Sequence, residues 1–303
     1  MKYYHLIFKQ KLRALWLLLF TVATSVNLYS QVLNEDDELD VLLDELFFNE
    51  QQFIDDILDS FNTYNFIYTN VSFNSNTFFS GRDSGIDQFN LIPQISYYSS
   101  NGFNMSVSGI YYETFTPNWD FTNVYLGYYH TIGEKKLFNY NIGYTRYFYS
   151  DGWDTFTNSI DFSIGLKNKK RTISTKLSAS YLFGKDESLQ IISSTYGNVT
   201  ITKEKNFVLK FRPQINFIIA QQTIALEQLN TLDGITTTEF VYNDIFDLLN
   251  TQVNLPISLV TKSWDFELGY NINFPSAVAT ESNLKTTGFF SFSVGYLINL
   301  AKK

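Results

Sequence analysis

From residue 64 onward the chain alternates, residue by residue, between apolar and small or polar side chains. Between 287 and 300 the positions Phe290, Phe292, Val294, Tyr296, Ile298 and Leu300 are apolar, and Ser291, Ser293, Gly295 and Asn299 stand between them. Trp264, Phe266, Leu268, Tyr270, Ile272 and Phe274 alternate in the same way with Asp265, Glu267, Gly269, Asn271 and Asn273. The pattern recurs over 206–219 and 156–167. Successive side chains of a strand point to opposite faces, so each run predicts one greasy and one wet face. A soluble sandwich would alternate too. These runs are about 10–14 residues long, enough to cross a bilayer at a tilt, where soluble strands average nearer ~6. Tyr, Phe and Trp gather near the run ends, at Tyr111, Tyr112, Trp119, Tyr128, Tyr129, Tyr147, Phe148, Tyr149 and Trp153. Aromatic girdles of membrane barrels sit at such positions.

The first thirty residues predict how such a chain reaches its membrane. Lys2, Lys9, Lys11 and Arg13 precede an apolar run, 15–23, and small and polar residues follow up to Ser30 and Gln31. This is the layout of a cleaved secretory signal, with cleavage expected near 30/31. The run is too short for the ~20 residues of a spanning helix. The chain has no Cys, which excludes a disulfide scaffold, a thiolate metal site and a lipidated cysteine after the signal. Aromatic residues make up 18% of the chain, too many for a disordered protein, and the net charge of −8 argues against nucleic acid as a partner.

The negative charge is concentrated in one place. Residues 34–59 hold 11 acids and no base, whereas 60–303 hold 18 bases and 19 acids. Within the acidic stretch Leu39, Leu42, Leu43, Leu46 and Phe47, then Ile54, Ile57, Leu58 and Phe61, recur at i, i+3, i+4 and i+7. That spacing predicts an amphipathic helix over 31–62, with Asn34 at its N-cap and its early acids at the positive end of the helix dipole. The expected organisation is therefore a signal peptide (1–30), an acidic helical segment (31–62) and a barrel (63–303).

Twelve strands are expected, at about 64–74, 88–99, 102–113, 119–131, 136–148, 154–167, 171–184, 194–203, 206–221, 247–260, 263–274 and 287–300. The eighth is the weakest, and losing it with one other would leave ten. An even number puts both ends on one side. Short connections, such as 100–102 and 133–136, alternate with longer ones, such as 75–87, 185–193 and 222–246. Short periplasmic turns and long outer loops are the rule for outer-membrane barrels. Residue 222–246 is the longest loop expected, able to fold inward or to bind a ligand.

The export signal with cleavage before Gln31, the Asn-, Tyr- and Phe-rich alternating strands and the apolar-alternating last strand together resemble outer-membrane β-barrel proteins of the Bacteroidota type. The resemblance covers 1–33 and 64–303 and is of a class, with no motif fixing a subfamily. It implies an all-β transmembrane antiparallel barrel in the bacterial outer membrane, lipid around it, and the barrel-assembly machinery as a partner during biogenesis. The last strand departs from the common assembly signal by ending Leu300-Ala-Lys-Lys, without an aromatic.

Wet-face residues of a barrel line its lumen. The charged ones are Asp161, Lys176, Lys210, Arg212, Asp265 and Glu267, expected at similar depth as a neutral girdle that either selects solutes by charge or only satisfies buried charges. The short turns carry Lys135, Lys136, Lys167, Lys169, Lys170, Arg171, Lys203, Lys205 and Lys262, and with Lys302 and Lys303 they make a basic periplasmic rim. Opposite charge would dock the acidic helix there or draw it into the lumen as a plug, its apolar face being Leu39, Leu42, Leu43, Leu46, Phe47, Ile54 and Leu58. The same face could instead recruit a periplasmic protein, and a solvated tail is the third reading. No enzyme is expected: His130 is the only His beyond the signal, it lies at a strand end, and no Ser nucleophile pattern, phosphate loop or His/Cys metal cluster accompanies it. The expected function is passive or gated passage of small solutes, without a cofactor. The alternative is a closed barrel whose helix recruits a partner.

Overall fold

A computed structural model describes residues 65–83, 87–152, 155–232, 235–278, 281 and 284–300. The expected signal peptide, the expected acidic helix with its docking face, and Lys302 and Lys303 of the expected rim fall outside the described residues. What is described is one antiparallel sheet closed on itself. We number its strands β1 (Asn65–Asn74), β2 (Asn90–Ser99), β3 (Phe103–Tyr112), β4 (Trp119–Ile132), β5 (Phe138–Tyr149), β6 (Phe156–Lys167), β7 (Ile173–Gly184), β8 (Glu187–Gly197 continued by Val199–Lys203), β9 (Phe207–Phe211 continued by Gln214–Leu232), β10 (Ile235–Asn254 continued by Ile257–Thr261), β11 (Trp264–Pro275) and β12 (Thr287–Asn299). Each strand pairs with the next in sequence, and β12 closes the ring on β1 from Phe66↔Asn299 to Asn74↔Ser291. The expected count of twelve holds. Closure removes the free edges that would otherwise leave backbone groups unpaired in hydrocarbon.

Three strands change course at one level. β8 breaks at Asn198, β9 at Pro213 and β10 at Pro256, and the register places these breaks side by side. Proline offers no N–H to a ladder, so the sheet bends where the two prolines meet. The Arg212 amide hydrogen-bonds across the bend to the Pro256 carbonyl (3.1 Å).

Two expected loops are corrected. Residues 185–193 are not a loop: β7 and β8 are joined by Lys185 and Asp186 alone, and β8 runs from Glu187 to Lys203 instead of starting at 194. Residues 222–246 are not an open loop either. The β9–β10 ladder continues to Leu232↔Ile235, so this segment is a paired hairpin standing beyond the neighbouring strands.

The barrel is inside-out relative to a soluble protein. Its exterior exposes Val71, Ile95, Leu126, Ile142, Ile160, Phe162, Leu177, Leu268, Phe292 and Ile298, while Asn70, Ser108, Asn123, Ser163, Gln190, Asn216, Gln252 and Asn273 are buried inside. Outward hydroxyls have partners, as a hydrocarbon surround requires: Thr175 and Thr195 bond to each other (3.1 Å), and Thr122 accepts from the Trp119 indole (3.0 Å). Trp119, Tyr128, Phe148, Trp264 and Tyr296 stand outward near strand ends. This is the surface of a transmembrane barrel.

Candidate functional site: the lumen

The interior is stratified. We call the end that carries Asn65, Asn299 and the short turns the inner end. There Phe66 and Tyr68 pack with Tyr98, Tyr129, Val260 and Leu297. Toward the outer end, Ile92, Ile110, Tyr112, Phe121, Tyr147, Phe156 and Leu182 form an apolar cluster joined by Phe115 and Tyr149. Ile192, Ile218, Ala220, Leu249 and Val278 form a second. The sequence reading missed these clusters, because it treated the inward face as uniformly wet. Two irregularities supply some of their members. A bulge between Phe156 and Asn158 turns Phe156 inward, and another leaves Leu249 unpaired opposite Ile218/Ile219.

Between the apolar ends all six expected lumen charges do face inward, as the alternation requires: their outward neighbours Ile160, Leu177, Leu268 and Trp264 are exposed to the exterior. They form two stations and not one ring. Asp161 on β6 accepts hydrogen bonds from Thr145 (2.9 Å) and Ser159 (2.9 Å), with Lys176 on β7 as its nearby opposite charge. Asp161 pairs in register with Ser180, and Lys176 with Gly165 and Ser194, so the two are near each other without being opposite. The second station spans three strands. Lys210 on β9, Ser258 on β10 and Glu267 on β11 lie in one row, and Ser258 donates to Glu267 (2.6 Å). Arg212, almost wholly buried beside the bend, and Lys210 face Asp265. β8, whose inward residues include Gln190 and Ser194, separates the stations. The wall from β1 to β5 between the same levels is neutral, with Asn70, Gln94, Ser96, Asn104, Ser106, Ser108, Asn123, Asn139 and Asn141.

Glycines make room for two inward tyrosines. Tyr68 lies across Gly295, where any Cβ would collide with its ring, and its hydroxyl bonds to Asp265 two strands away. Tyr125 lies across Gly127 and Gly143 in the same way and accepts from Asn141 (2.6 Å). Each pair ties neighbouring strands together inside the lumen.

The basic rim residues Lys135, Lys136, Lys169, Lys170, Arg171, Lys203 and Lys205 lie in or beside the short inner turns, and the Arg171 guanidinium caps the Lys135 carbonyl (3.1 Å). His130 points outward at the inner end, stacked on Tyr128 with ring centroids 6.2 Å apart, on the opposite face of its strand from the lumen carboxylates.

At the outer mouth the described parts of the β1–β2 connection, 75–83 and 87–89, turn into the barrel, a contact the sequence did not reveal. It carries a two-rung ribbon, Phe78–Phe79 against Arg82–Asp83. Phe78 packs on inward Phe289, Thr77 accepts from inward Asn90 (2.9 Å), and Thr287 donates to the Gly81 carbonyl (2.7 Å). Arg82 is buried and ion-paired to Glu281 (2.8 Å) on the 276–286 connection. 

No protein-family model matches this chain, and no curated protein matches it. Solved structures of similar shape include two porins. The KdgM porin is 12% identical over 76% of this chain and 98% of its own, with a TM-score of 0.43. The NanC porin is 9% identical over the same shares, with a TM-score of 0.44. A third, LpxR from Salmonella typhimurium, is 8% identical over 76% of this chain and 99% of its own, with a TM-score of 0.40. The likeness is one of barrel shape, and the strand ladder itself establishes the fold.

Proposed function

We propose that the protein is a bacterial outer-membrane barrel that passes small solutes through its lumen under control of its ends. The observation that carries this reading is the inward set of Asp161, Lys176, Lys210, Arg212, Asp265 and Glu267, between the apolar clusters, on a stretch of wall otherwise made mostly of amides and hydroxyls. Charges inside a low-dielectric shell are costly unless paired or wetted, and an anchor would be served as well by an apolar fill. A balanced lumen with the acids on β6 and β11 and the bases on β7 and β9 favours neutral and zwitterionic solutes over strongly charged ones. Passage of this kind needs no catalytic group and no cofactor. Export by a cleaved signal over 1–30, assembly by the barrel-assembly machinery and kinship with the Bacteroidota type belong to the same reading and rest on sequence character.

The apolar clusters near the outer mouth favour a second reading, a closed barrel that anchors a periplasmic partner through the acidic helix. Both readings involve the 31–62 segment, as a plug drawn to the basic rim in the first and as the recruiting element in the second. Single-channel conductance of the mature chain in a planar bilayer, with and without residues 34–60, separates them. If only the truncated chain conducts, the helix is a plug and the transport reading gains. If neither form conducts under any applied voltage, and a stoichiometric partner leaves the purified protein on deleting 34–60, the anchor reading replaces it.

A further inference from the structure

Among the described residues, the β1–β2 connection (75–83 and 87–89) contributes no strand to the closed ladder. Its ribbon pairs only with itself, so the barrel is complete without it. Yet it is as buried as the lumen wall: Phe78, Thr77, Ser80 and Gln88 are shielded from solvent. Polar lumen continues directly beneath it. Asn250 and Gln252 both donate to Asn273 (3.1 Å each), and Gln252 accepts from Asn216 (3.1 Å), a row of amides leading down β9–β11 toward Arg212. A dry core would have no use for such a row, whereas a solute path would.

Beside the Thr77–Asn90 and Thr287–Gly81 bonds, one side chain ties this insert to the other outer elements. The guanidinium of Arg82 has five N–H donors, and all five are used. Nε donates to Glu281 Oε1 (3.0 Å), Nη2 to Glu281 Oε2 and to the Ser276 carbonyl (2.8 Å each), and Nη1 to the carbonyls of Ser80 and Leu249 (3.3 Å each). These acceptors belong to three separate outer elements: the insert itself, the β10 bulge and the 276–286 connection. The bulge is what makes the Leu249 carbonyl accessible, since a bulged residue drops out of ladder pairing. Glu281 is in turn fixed by the Val278 amide (3.0 Å). The insert reverses direction at Ser80 and Gly81, with φ of 46° and 75°, and the Gly81 backbone lies so close to Asn250 that no side chain would fit there.

We propose that Arg82 is the pin of an outer gate: residues 75–83 with 87–89 plug the mouth of the lumen, and release of the Arg82 guanidinium from Glu281 and the three carbonyls opens it. This deepens the transport reading and rests on it. Arg82 alone reaches both the β10 bulge and Glu281, and the remaining ties are two hydrogen bonds and the Phe78–Phe289 contact, so the insert can leave as a unit without breaking the barrel ladder.

The test is planar-bilayer conductance of the mature chain, with and without residues 34–60, carrying Arg82→Ala, Arg82→Lys or Glu281→Gln, each first checked for folding by heat-modifiable migration. A fourth variant replaces residues 77–87 by a short Gly-Ser link, so that a loop without a pin is also measured. The gate predicts at least a tenfold rise in open probability for Arg82→Ala and for the replaced loop. Arg82→Lys should rise too, because it keeps the charge but loses the fork. Adding the cysteine pair Phe78→Cys and Phe289→Cys to Arg82→Ala should silence it until reductant is added, in a chain with no native Cys. If the replaced loop conducts while Arg82→Ala and Glu281→Gln behave as wild type, Arg82 is structural, the pin is wrong and the transport reading stands. If every folded variant, including the replaced loop, stays silent, both the gate and the transport reading fail.

Discussion

Single residues decide how this lumen is held together. Tyr68 and Tyr125 reach across strands only because Gly295, Gly127 and Gly143 leave their Cα surfaces bare. A methyl group at 295 must push Tyr68 off the strand and away from Asp265. Gly295→Ala is therefore expected to cost about 1–3 kcal/mol of folding stability, the usual range for an overpacked site. Urea titration of the protein folded in vesicles, read by tryptophan fluorescence, measures this, and a cost near zero would mean Tyr68 has another place to go. The stations make a different kind of prediction. Lys210→Ala together with Arg212→Ala leaves Asp265 and Glu267 without their bases, so the open lumen should shift toward cation selectivity. A reversal potential that stays unchanged in a salt gradient would remove these residues from the solute path. The six charges were legible as inward from alternation alone, since a period of two leaves no freedom about faces. Their grouping was not. Which strands adjoin follows from the count, but the β8 wall between the stations depends on β8 starting at Glu187, and that start was misread.

At the scale of elements, what could be read was what the bilayer imposes. β11 and β12 were clear because hydrocarbon outside and polar lumen inside give maximal contrast between alternate residues. The first half of β8 was missed because Ile192 turns inward to an apolar cluster between Gln190 and Ser194, which erases that contrast. The hairpin over 221–247 was read as a loop for a related reason: it stands beyond the neighbouring strands, where no membrane demands a greasy face. Its signal was local, the Asp233-Gly234 pair that favours a tight hairpin reversal. The barrel's own ladder lies outside this hairpin, so joining 223 to 245 with a short turn should leave a folded, heat-modifiable barrel with unchanged melting temperature. Loss of folding would show that the hairpin nucleates β9 and β10. The Arg82–Glu281 pair could not be read at all, because its partners are 199 positions apart on two connections with no pattern to align them.

The whole molecule is a shell with its polarity reversed, and that reversal dictates which substitutions it tolerates. A charge on the exterior at Ile160 or Leu177 meets hydrocarbon and is expected to cost about 2–4 kcal/mol as Arg near the midplane, whereas a polar change at Ser163 inside should cost little. Urea titrations of Leu177→Arg and Ser163→Asn in the same vesicles would compare the two faces directly, and equal costs would argue against a membrane-embedded exterior. The most direct measurement follows from the absence of cysteine. Single cysteines are placed at neighbouring positions of β7, Leu177→Cys outward and Ser178→Cys inward, and the reconstituted barrel, with residues 34–60 deleted and the 77–87 loop replaced so that both ends are open, is treated with a charged, water-soluble thiol reagent during conductance recording. A wetted solute path predicts that the inward cysteine reacts and the current drops, while the outward one stays inert. Equal reactivity of both positions, or reaction at the inward one without any change in current, would contradict a lumen that conducts.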